Sequence, residues 1–343
     1  MPCHYSYSVA LGYNLANIST LSFSSKINML FKTRTGNRQS LSVAFWKHHP
    51  VADQHSDTLV AATLAFHHAT QGDIVKLTPA GNYQVADRGG CSEWQEDVLG
   101  RRTFVERAIT HPEQWLQQTD TLTPLELEII RAAKQLKKSL PNTPLLATVF
   151  LPLTQALMMT GSETLLTHLQ CHPEEVTTGL KILTRCTQRL IAAYQDIGID
   201  GIYLAAQHQS DAVIPRSIYR DFGLPYDQQI MQACRDLSLN ILHIHGTMIH
   251  FEGVPQENNW MVHFELSEHN PEPEVYRTHC RCPAVIGLPC KVWQNDTELS
   301  PKINSLLQRF GQTSALLSAD CVTPLNISSE HIASWIQRIR HVC

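Results

Sequence analysis

The sequence predicts an α/β protein, a parallel (β/α)8 barrel, in a single domain. Short runs of β-branched and aliphatic residues alternate with longer segments in which apolar residues recur at spacings of three and four. A doubly wound open sheet is the competing architecture, but no Gly-x-Gly-x-x-Gly motif follows the first strand. The eight predicted strands match the number of strands in a (β/α)8 barrel. They are residues 41–46, 73–79, 145–150, 201–206, 240–246, 260–266, 284–289 and 315–320.

Helical patterns separate most of these strands. The clearest covers residues 174–197 and ends before Gly198, a residue type that commonly terminates helices. Two connections, 80–144 and 151–200, are longer than a minimal barrel needs. We expect loops that follow strands to cover the catalytic face of the barrel. The other amphipathic segments are residues 57–70, 217–237 and 328–342.

The composition favours a compact protein and excludes several function classes. Hydrophobic residues make up 43% of the 343 residues and charged residues 17%, a mixture that suits a packed interior. The net charge of −4 provides no basic field for nucleic acid. No apolar run is long enough to predict a transmembrane helix. The 10 cysteines are dispersed along a long chain without a clear secretory signal, which predicts reduced thiols and a cytoplasmic location. They form no Cys-x-x-Cys pair, which argues against a zinc ribbon.

Residues 1–37 are predicted to form a loose, partly disordered N-terminal extension, ahead of the barrel domain at residues 38–343. The extension is rich in Ser, Asn and Tyr. It lacks the basic start and continuous apolar segment of a secretory signal peptide. Met29 is a candidate for an alternative start of translation.

A histidine pair in the fifth predicted strand is the leading candidate for a functional site. His243 and His245 are two residues apart, so they share one face of a strand, at the end where barrel active sites lie. Cys321 directly follows the eighth strand, at the same end of the barrel. Two imidazoles and one thiolate match a catalytic zinc site with an open fourth position, and Glu265 is a further ligand or supporting partner. The alternative is a pair of structural, hydrogen-bonded histidines.

Other polar residues follow predicted strands at the same end. The alternative for each of them is an ordinary polar loop residue. The residues that we take as candidates for substrate or cofactor contact are Lys47 and His48 after the first strand, Asn82, Tyr83 and Arg88 after the second, and Gln207 after the fourth.

The loop at residues 80–100 is predicted to form a lid, or a wall of the active site that determines substrate specificity. It is long, and it contains the paired glycines Gly89 and Gly90. We therefore expect the side chains of Asn82, Tyr83 and Arg88 to face the cavity that contains the histidine pair. Arg88 would then clamp a carboxylate or phosphate of the substrate. The alternative is a packed surface loop in which Arg88 pairs only with Asp87 or Glu93.

Several motifs together resemble a known family. The runs SVAFWKHHPVAD, DIVKLTPAGNYQVADRGG, DGIYLAAQ, FGLPYDQQIM, LHIHG and DCVTP occur in the order found in the uroporphyrinogen decarboxylase superfamily, and the resemblance covers residues 38–342. It implies a (β/α)8 barrel with the site at the carboxyl ends of the strands. The decarboxylases of this family bind a tetrapyrrole through an arginine-rich segment after the first strand. The matching segment here, FWKHHPVAD, contains no arginine.

The other branch of the family, similar to methylcobalamin:coenzyme M methyltransferases, binds zinc through a His-x-Cys pair and a second cysteine. His243 and Cys321 match two of these ligands, and His245 stands where the family has its first cysteine. The resemblance implies zinc-dependent methyl transfer to a thiol, from a corrinoid or similar donor on a separate protein. Decarboxylation of a porphyrinogen without cofactor is the second hypothesis, and a non-catalytic binding barrel is the third. The small-molecule acceptor, the donor and the oligomeric state stay open.

On this basis we assign His243, His245 and Cys321 as metal ligands. Tyr83, Arg88 and Gln207 are the predicted catalytic residues. Lys47, His48 and Asn82 are the predicted cofactor-binding residues.

Overall fold

Eight parallel strands form one sheet, as the alternating sequence pattern predicts. The computed structural model describes residues 40–294, 297, 299–312 and 314–342, and the predicted N-terminal extension at residues 1–37 lies outside them. The strands in chain order are β1 (Ser40–Val43), β2 (Val75–Leu77), β3 (Cys91–Trp94), β4 (Arg102–Glu106), β5 (Leu145–Phe150), β6 (Gly201–Ala206), β7 (Asn240–Ile244), β8 (Trp260–Glu265), β9 (Ala284–Leu288) and β10 (Ser314–Ala319).

The order of strands in the main sheet is β1-β10-β9-β8-β7-β6-β5-β2, so the first strand pairs with the last. Asp73 joins the two ends of the sheet. Its backbone N–H donates to the Val43 carbonyl at 3.0 Å, and its carboxylate accepts from the Val43 N–H at 2.7 Å. In this architecture, strands that follow one another along the chain lie side by side in the sheet and are connected by helices. The predicted (β/α)8 barrel is confirmed.

Helices connect most of the barrel strands. The segment predicted as one helix at 217–237 is divided into α6 and α7, because Pro225 lacks the N–H that a continuous helix would need there. The helices are α1 (Ser56–Thr70), α2 (Pro124–Ser139), α3 (Pro152–Thr160), α4 (Ser162–Cys171), α5 (Pro173–Asp196), α6 (Arg216–Phe222), α7 (Leu224–Ala233), α8 (Pro273–His279), α9 (Cys290–Trp293), α10 (Leu299–Phe310) and α11 (Ser329–Val342), with 3-10 turns at Ala52–Gln54 and Pro112–Gln117.

The long connection at 80–144 contains an element that the sequence analysis missed. Strands β3 and β4 pair antiparallel and form a hairpin apart from the barrel sheet. Their alternating burial gives only a weak apolar pattern, because one face of the hairpin is open to solvent. We call residues 91–106 the β3–β4 hairpin.

The apolar core has two parts. The larger lies between the sheet and the surrounding helices, and includes Leu77, Val149 and Leu204. The smaller fills the inside of the barrel, and Tyr203 and Ile241 belong to it. The two parts arise because successive side chains of a strand point to opposite faces of the sheet.

The eight cysteines in the described part of the chain are free thiols, as the sequence predicts. No helix within the described residues is both long enough and apolar enough to cross a membrane.

The amino end of β6 is anchored by a buried acid and a glycine. Asp200 accepts hydrogen bonds from the Leu145 N–H at 3.0 Å and from Lys137 Nζ at 2.5 Å. At the next position, a Cβ on Gly201 would lie 1.3 Å from the Leu239 carbonyl oxygen. The strand therefore approaches its neighbour so closely that only glycine fits.

Replacement of Gly201 by alanine should destabilise the barrel severely. The added methyl group must displace backbone rather than a flexible side chain, and we expect a loss of about 3 kcal/mol or more in the free energy of unfolding. Denaturant unfolding measures this loss. The matched control is Gly81→Ala, whose Cβ would meet no atom closer than 3.9 Å. Equal stability of the two variants would contradict the close approach.

Candidate metal centre and its cavity

The carboxyl end of the barrel interior carries a polar layer above an apolar one. The apolar layer contains Ile74, Leu146, Ile241, Met261 and Leu316. Side chains two residues further along the same strands share the inward face. These second-layer residues are Lys76, Thr148, His243, His263 and Ser318. The strand alternation thus places a lysine and two histidines together, directly beneath the mouth of the barrel.

The histidine pair and the cysteine come together as predicted. One ligand atom each from His243, His245 and Cys321 can be chosen so that all three lie within 4.8 Å of one another. His243 is in β7, and His245 follows its end, where its backbone N–H still bonds to the Ala206 carbonyl at 3.0 Å. Cys321 follows the end of β10. Such a group can hold a metal ion.

His243 is the most constrained member of this group. Its side chain is 4% exposed, and neither ring nitrogen has a hydrogen-bond partner among the described residues. Burial holds its pKa well below the usual value, so the imidazole is neutral with a lone pair available. Buried polar atoms are rarely left without a partner, and a metal ion would satisfy this one.

The other two members differ in their surroundings. Burial lowers the pKa of His245, against the opposing influence of the Glu265 and Asp320 carboxylates. Burial raises the pKa of the Cys321 thiol to about 11, while the neighbouring Lys76 ammonium acts to lower it. Glu265, a candidate from the sequence, is therefore an electrostatic neighbour of His245, and it does not belong to the group of three ligand atoms.

His263 supports two of the three ligands, and the sequence analysis missed it. Its Nε2 donates to the Ala319 carbonyl at 3.0 Å, two residues before Cys321, and its Nδ1 accepts from the Tyr203 hydroxyl at 2.8 Å. Its ring centroid lies 4.5 Å from that of His243. The signal was a single histidine within an apolar strand, WMVHFE, at the same register as His243 in the neighbouring strand.

A cavity of about 330 Å³ opens above the three ligands. Three of the predicted contact residues line it, namely His48, Asn82 and Gln207. His48 Nδ1 donates to the Pro79 carbonyl at 3.2 Å, which leaves Nε2 as an acceptor. Burial lowers the His48 pKa to about 3, so the ring is neutral. The Asn82 amide nitrogen donates to Ser92 Oγ at 2.6 Å, while its oxygen has no partner within the described residues.

The β3–β4 hairpin forms a wall of this cavity through Arg101, Arg102 and Phe104. Arg102 is paired with the buried Asp53 carboxylate at 2.9 Å, and Arg101 with Asp97 at 2.8 Å. The wall predicted for residues 80–100 therefore exists, but mostly different residues build it. The hairpin was not recognised, so its arginines were not among the candidates.

The side chains of Tyr83 and Arg88 do not line the cavity, contrary to the orientation expected from the sequence. Tyr83 is fully buried in the outer core, and its hydroxyl donates to the Thr148 carbonyl at 2.6 Å. Arg88 donates to the carbonyls of Gln84 and Thr119 and lies 3.7 Å from the Glu126 carboxylate. The segment after β2 packs against α2 and α5 on the outside of the barrel sheet. The Arg88 guanidinium therefore finds its hydrogen-bond partners within the protein. The loop is packed, as in the alternative, but the acid beside the Arg88 guanidinium is Glu126 and not Asp87 or Glu93.

Lys47 also lies outside the cavity. Its Nζ donates to the carbonyls of Leu325 and Ile327, at 3.4 and 3.3 Å. Trp46, the preceding residue, lines the cavity instead. Since adjacent residues of an extended segment point to opposite sides, one of the two had to face away. The position expected for the Lys47 side chain, in the cavity, is therefore wrong.

Lys76 is the second residue that the sequence analysis missed. It is buried and lines the cavity, and its ammonium lies 4.6 Å from the centroid of the Tyr203 ring. Burial lowers its pKa to about 7, while Cys321 acts in the opposite direction. A lone lysine within the apolar run of β2 was the available signal.

Comparisons with known proteins agree with the barrel fold. The family described as uroporphyrinogen decarboxylase (URO-D) matches residues 52–339. No curated protein sequence matches the chain.

Among solved structures, a methyltransferase from Methanosarcina mazei is similar with a TM-score of 0.64 and 15% identity, covering 86% of this chain and 88% of the other. A B12-independent methionine synthase from Shewanella sp. W3-18-1, in complex with selenomethionine, has a TM-score of 0.56 and 12% identity, covering 84% and 88%. At such identities these likenesses concern the fold. The family match extends over most of the chain, and the chain belongs to the uroporphyrinogen decarboxylase (URO-D) family.

Proposed function

We propose that this protein transfers a methyl group from a corrinoid or similar donor to a thiol acceptor, with zinc held by His243, His245 and Cys321. The observation that carries the proposal is the group of three ligand atoms within 4.8 Å at the carboxyl end of the barrel. Membership of the URO-D family and a fold similar to that of a methyltransferase support it.

The donor set fits zinc. Two imidazoles and one thiolate are ligands that zinc prefers, and three protein ligands leave a fourth position for a substrate sulfur. The unpartnered nitrogens of His243 provide the independent evidence of fit, since a bound cation would satisfy a buried acceptor that otherwise costs free energy. When bound, zinc would supply the Lewis acidity that keeps the acceptor sulfur a thiolate at neutral pH.

The residues of the chain would position the acceptor and keep water away. His263 holds His243 and the segment before Cys321 through the contacts described above, so the ligands are preorganised. His48 and Asn82 present acceptors to the cavity, and Gln207 presents an amide. The β3–β4 hairpin covers one side with Phe104. The donor, on a separate corrinoid protein, would approach from the mouth of the barrel.

Several observations count against porphyrinogen decarboxylation as the main activity. Both arginines that line the cavity are already paired with carboxylates of the chain, Asp97 and Asp53. Lys47 is bonded to backbone carbonyls outside the cavity. A cavity of about 330 Å³ is at the small end of ligand sites, and a tetrapyrrole with eight carboxylates would need more space and more cations.

Replacement of Cys321 by serine should lower zinc occupancy sharply, because one of three protein ligands is lost while the rim position leaves the fold intact. Metal analysis of protein purified without chelators measures the zinc per chain, and circular dichroism checks the fold. The matched control is Cys171→Ser, which removes an exposed thiol on the outer surface. A Cys321→Ser protein that retains full zinc would contradict the assignment.

The zinc-loaded protein should demethylate methylcobalamin in the presence of a small thiol, and the rate should fall at least about 100-fold in Cys321→Ser, since the open zinc site activates the acceptor. The change in the corrinoid absorption spectrum follows the reaction. If no donor and thiol pair reacts with zinc-loaded protein, the proposed transfer is wrong.

Reduced uroporphyrinogen under anaerobic conditions provides the comparison substrate. We expect it to remain unchanged, because both arginines that line the cavity are paired with carboxylates of the chain, and Lys76 alone is too few cations for its carboxylates. Steady formation of decarboxylated products would favour the decarboxylase hypothesis over methyl transfer.

A further inference from the structure

Two cysteines, Cys280 and Cys282, are separated by one residue in the connection between α8 and β9. Cys280 directly follows α8, and its backbone is extended, with φ −135° and ψ 134°. In extended backbone, the Cα atoms of residues i and i+2 are about 6.6 Å apart. A disulfide bridges Cα atoms at separations of about 4.4–6.8 Å. The pair can therefore close a disulfide with little movement of the backbone.

The two thiols point at the same backbone oxygen. The Sγ atoms of Cys280 and Cys282 lie 3.6 and 3.2 Å from the carbonyl oxygen of Pro255. Cys282 Sγ also lies 3.3 Å from the carbonyl oxygen of Glu257. Both cysteines are free thiols in this structure. Since two sulfurs that contact one oxygen are near neighbours, the fold keeps a dithiol together in the reduced state.

Hydrogen bonds fix the backbone around the cysteine pair. Gln256 Nε2 donates to the His279 carbonyl at 2.8 Å, and Gln256 Oε1 accepts from the Arg281 N–H at 3.2 Å. One amide side chain thus holds the residues on both sides of Cys280. The Tyr276 hydroxyl donates to the Cys282 carbonyl at 2.7 Å. The closeness of the two sulfurs therefore follows from a bonded backbone, in addition to the side-chain contacts.

The surroundings of the two thiols make them unequal. A hydrogen bond from the Cys282 thiol lowers the pKa of Cys280, although burial acts to raise it. The same hydrogen bond raises the pKa of Cys282. Cys280 is also the more exposed of the two, at 5% against 1%. Because the thiolate is the nucleophilic form of cysteine, Cys280 is the attacking sulfur and Cys282 the sulfur that keeps its proton.

A cavity of about 470 Å³ borders the segment that contacts the thiols. Its lining includes Pro255 and Glu257, together with Met231 and Gln232 of α7. This segment precedes β8, so the cavity lies at the amino end of the barrel, opposite to the candidate metal centre. A small molecule in the cavity is therefore next to the segment whose carbonyls contact the thiols, and away from the three metal ligands.

We infer that Cys280 and Cys282 form a redox pair that a hydroperoxide oxidises to a disulfide. The Cys280 thiolate attacks one oxygen of hydrogen peroxide, which gives a sulfenic acid, and the hydroxide that leaves takes up the proton lost by Cys280. The Cys282 sulfur then attacks the sulfenic sulfur, and the second water leaves as the S–S bond forms. Each sulfur loses one electron, and one peroxide is reduced to two waters. A dithiol reductant reverses the reaction by thiol–disulfide exchange.

Non-reducing peptide mapping of the full-length protein, after treatment with hydrogen peroxide, tests the pair. Trypsin cuts after Arg281, between the two cysteines, so the disulfide would join the peptides 278–281 and 282–291. Dithiothreitol should separate the two peptides. Because the second peptide also contains Cys290, the matched control is Cys290→Ser, which should retain the link.

The variant Cys282→Ser tests which sulfur attacks first. Without its partner thiol, the sulfenic acid on Cys280 persists, and dimedone traps it. Labelling of Cys280 should be at least about 10-fold greater than labelling of Cys171, an exposed thiol at the end of α4, because exposure alone does not create a thiolate. The wild-type peptide map needs no variant, so it provides the test if Cys282→Ser does not fold.

The outcomes are clear for the redox pair and independent of the proposed methyl transfer. A link between the two peptides in the wild type and in Cys290→Ser, reversed by dithiothreitol, is the expected result. If the link is absent after the exposed Cys171 has been oxidised, or if Cys290→Ser abolishes it, the redox pair is wrong. Equal labelling of Cys280 and Cys171 by dimedone in Cys282→Ser also overturns it.

Discussion

The constraint on which the site depends is the burial of His243 with both ring nitrogens unpaired. An imidazole at 4% exposure without a hydrogen-bond partner in the described structure costs free energy that the fold must offset elsewhere. The apolar layer beneath it and the packing of the barrel provide that stability. A site that retains this cost fits a function that uses the lone pair of the imidazole, because unfavourable arrangements of this kind concentrate where ligands bind.

The neighbours of His243 form two systems that the barrel brings together. His263 and Tyr203 connect β8 and β6 to the segment before Cys321, and so they fix the ligand geometry. Lys76 and Trp46 line the same cavity, and the Trp46 indole N–H has no acceptor in the described structure.

The sequence predicted the barrel and the ligand group because both follow from periodicity. Strand alternation places His243 and His245 on one face, and the common direction of parallel strands brings Cys321 to the same end. Periodicity could not predict where the side chains of Tyr83 and Arg88 point, because their direction depends on how a turn packs against α2 and α5. It could have found Lys76 and His263, since each is a polar residue with apolar neighbours on both sides in its strand. The β3–β4 hairpin was missed because a two-stranded, half-exposed element leaves only a weak pattern.

X-ray absorption at the zinc edge of the purified protein tests the central claim most directly. The account predicts one zinc per chain with a single sulfur neighbour at about 2.3 Å and nitrogen neighbours at about 2.0 Å. Addition of a thiol acceptor should add a second sulfur to the shell, because the open position receives the substrate. A protein without zinc, or a zinc shell without sulfur before the acceptor is added, would contradict the assignment of His243, His245 and Cys321.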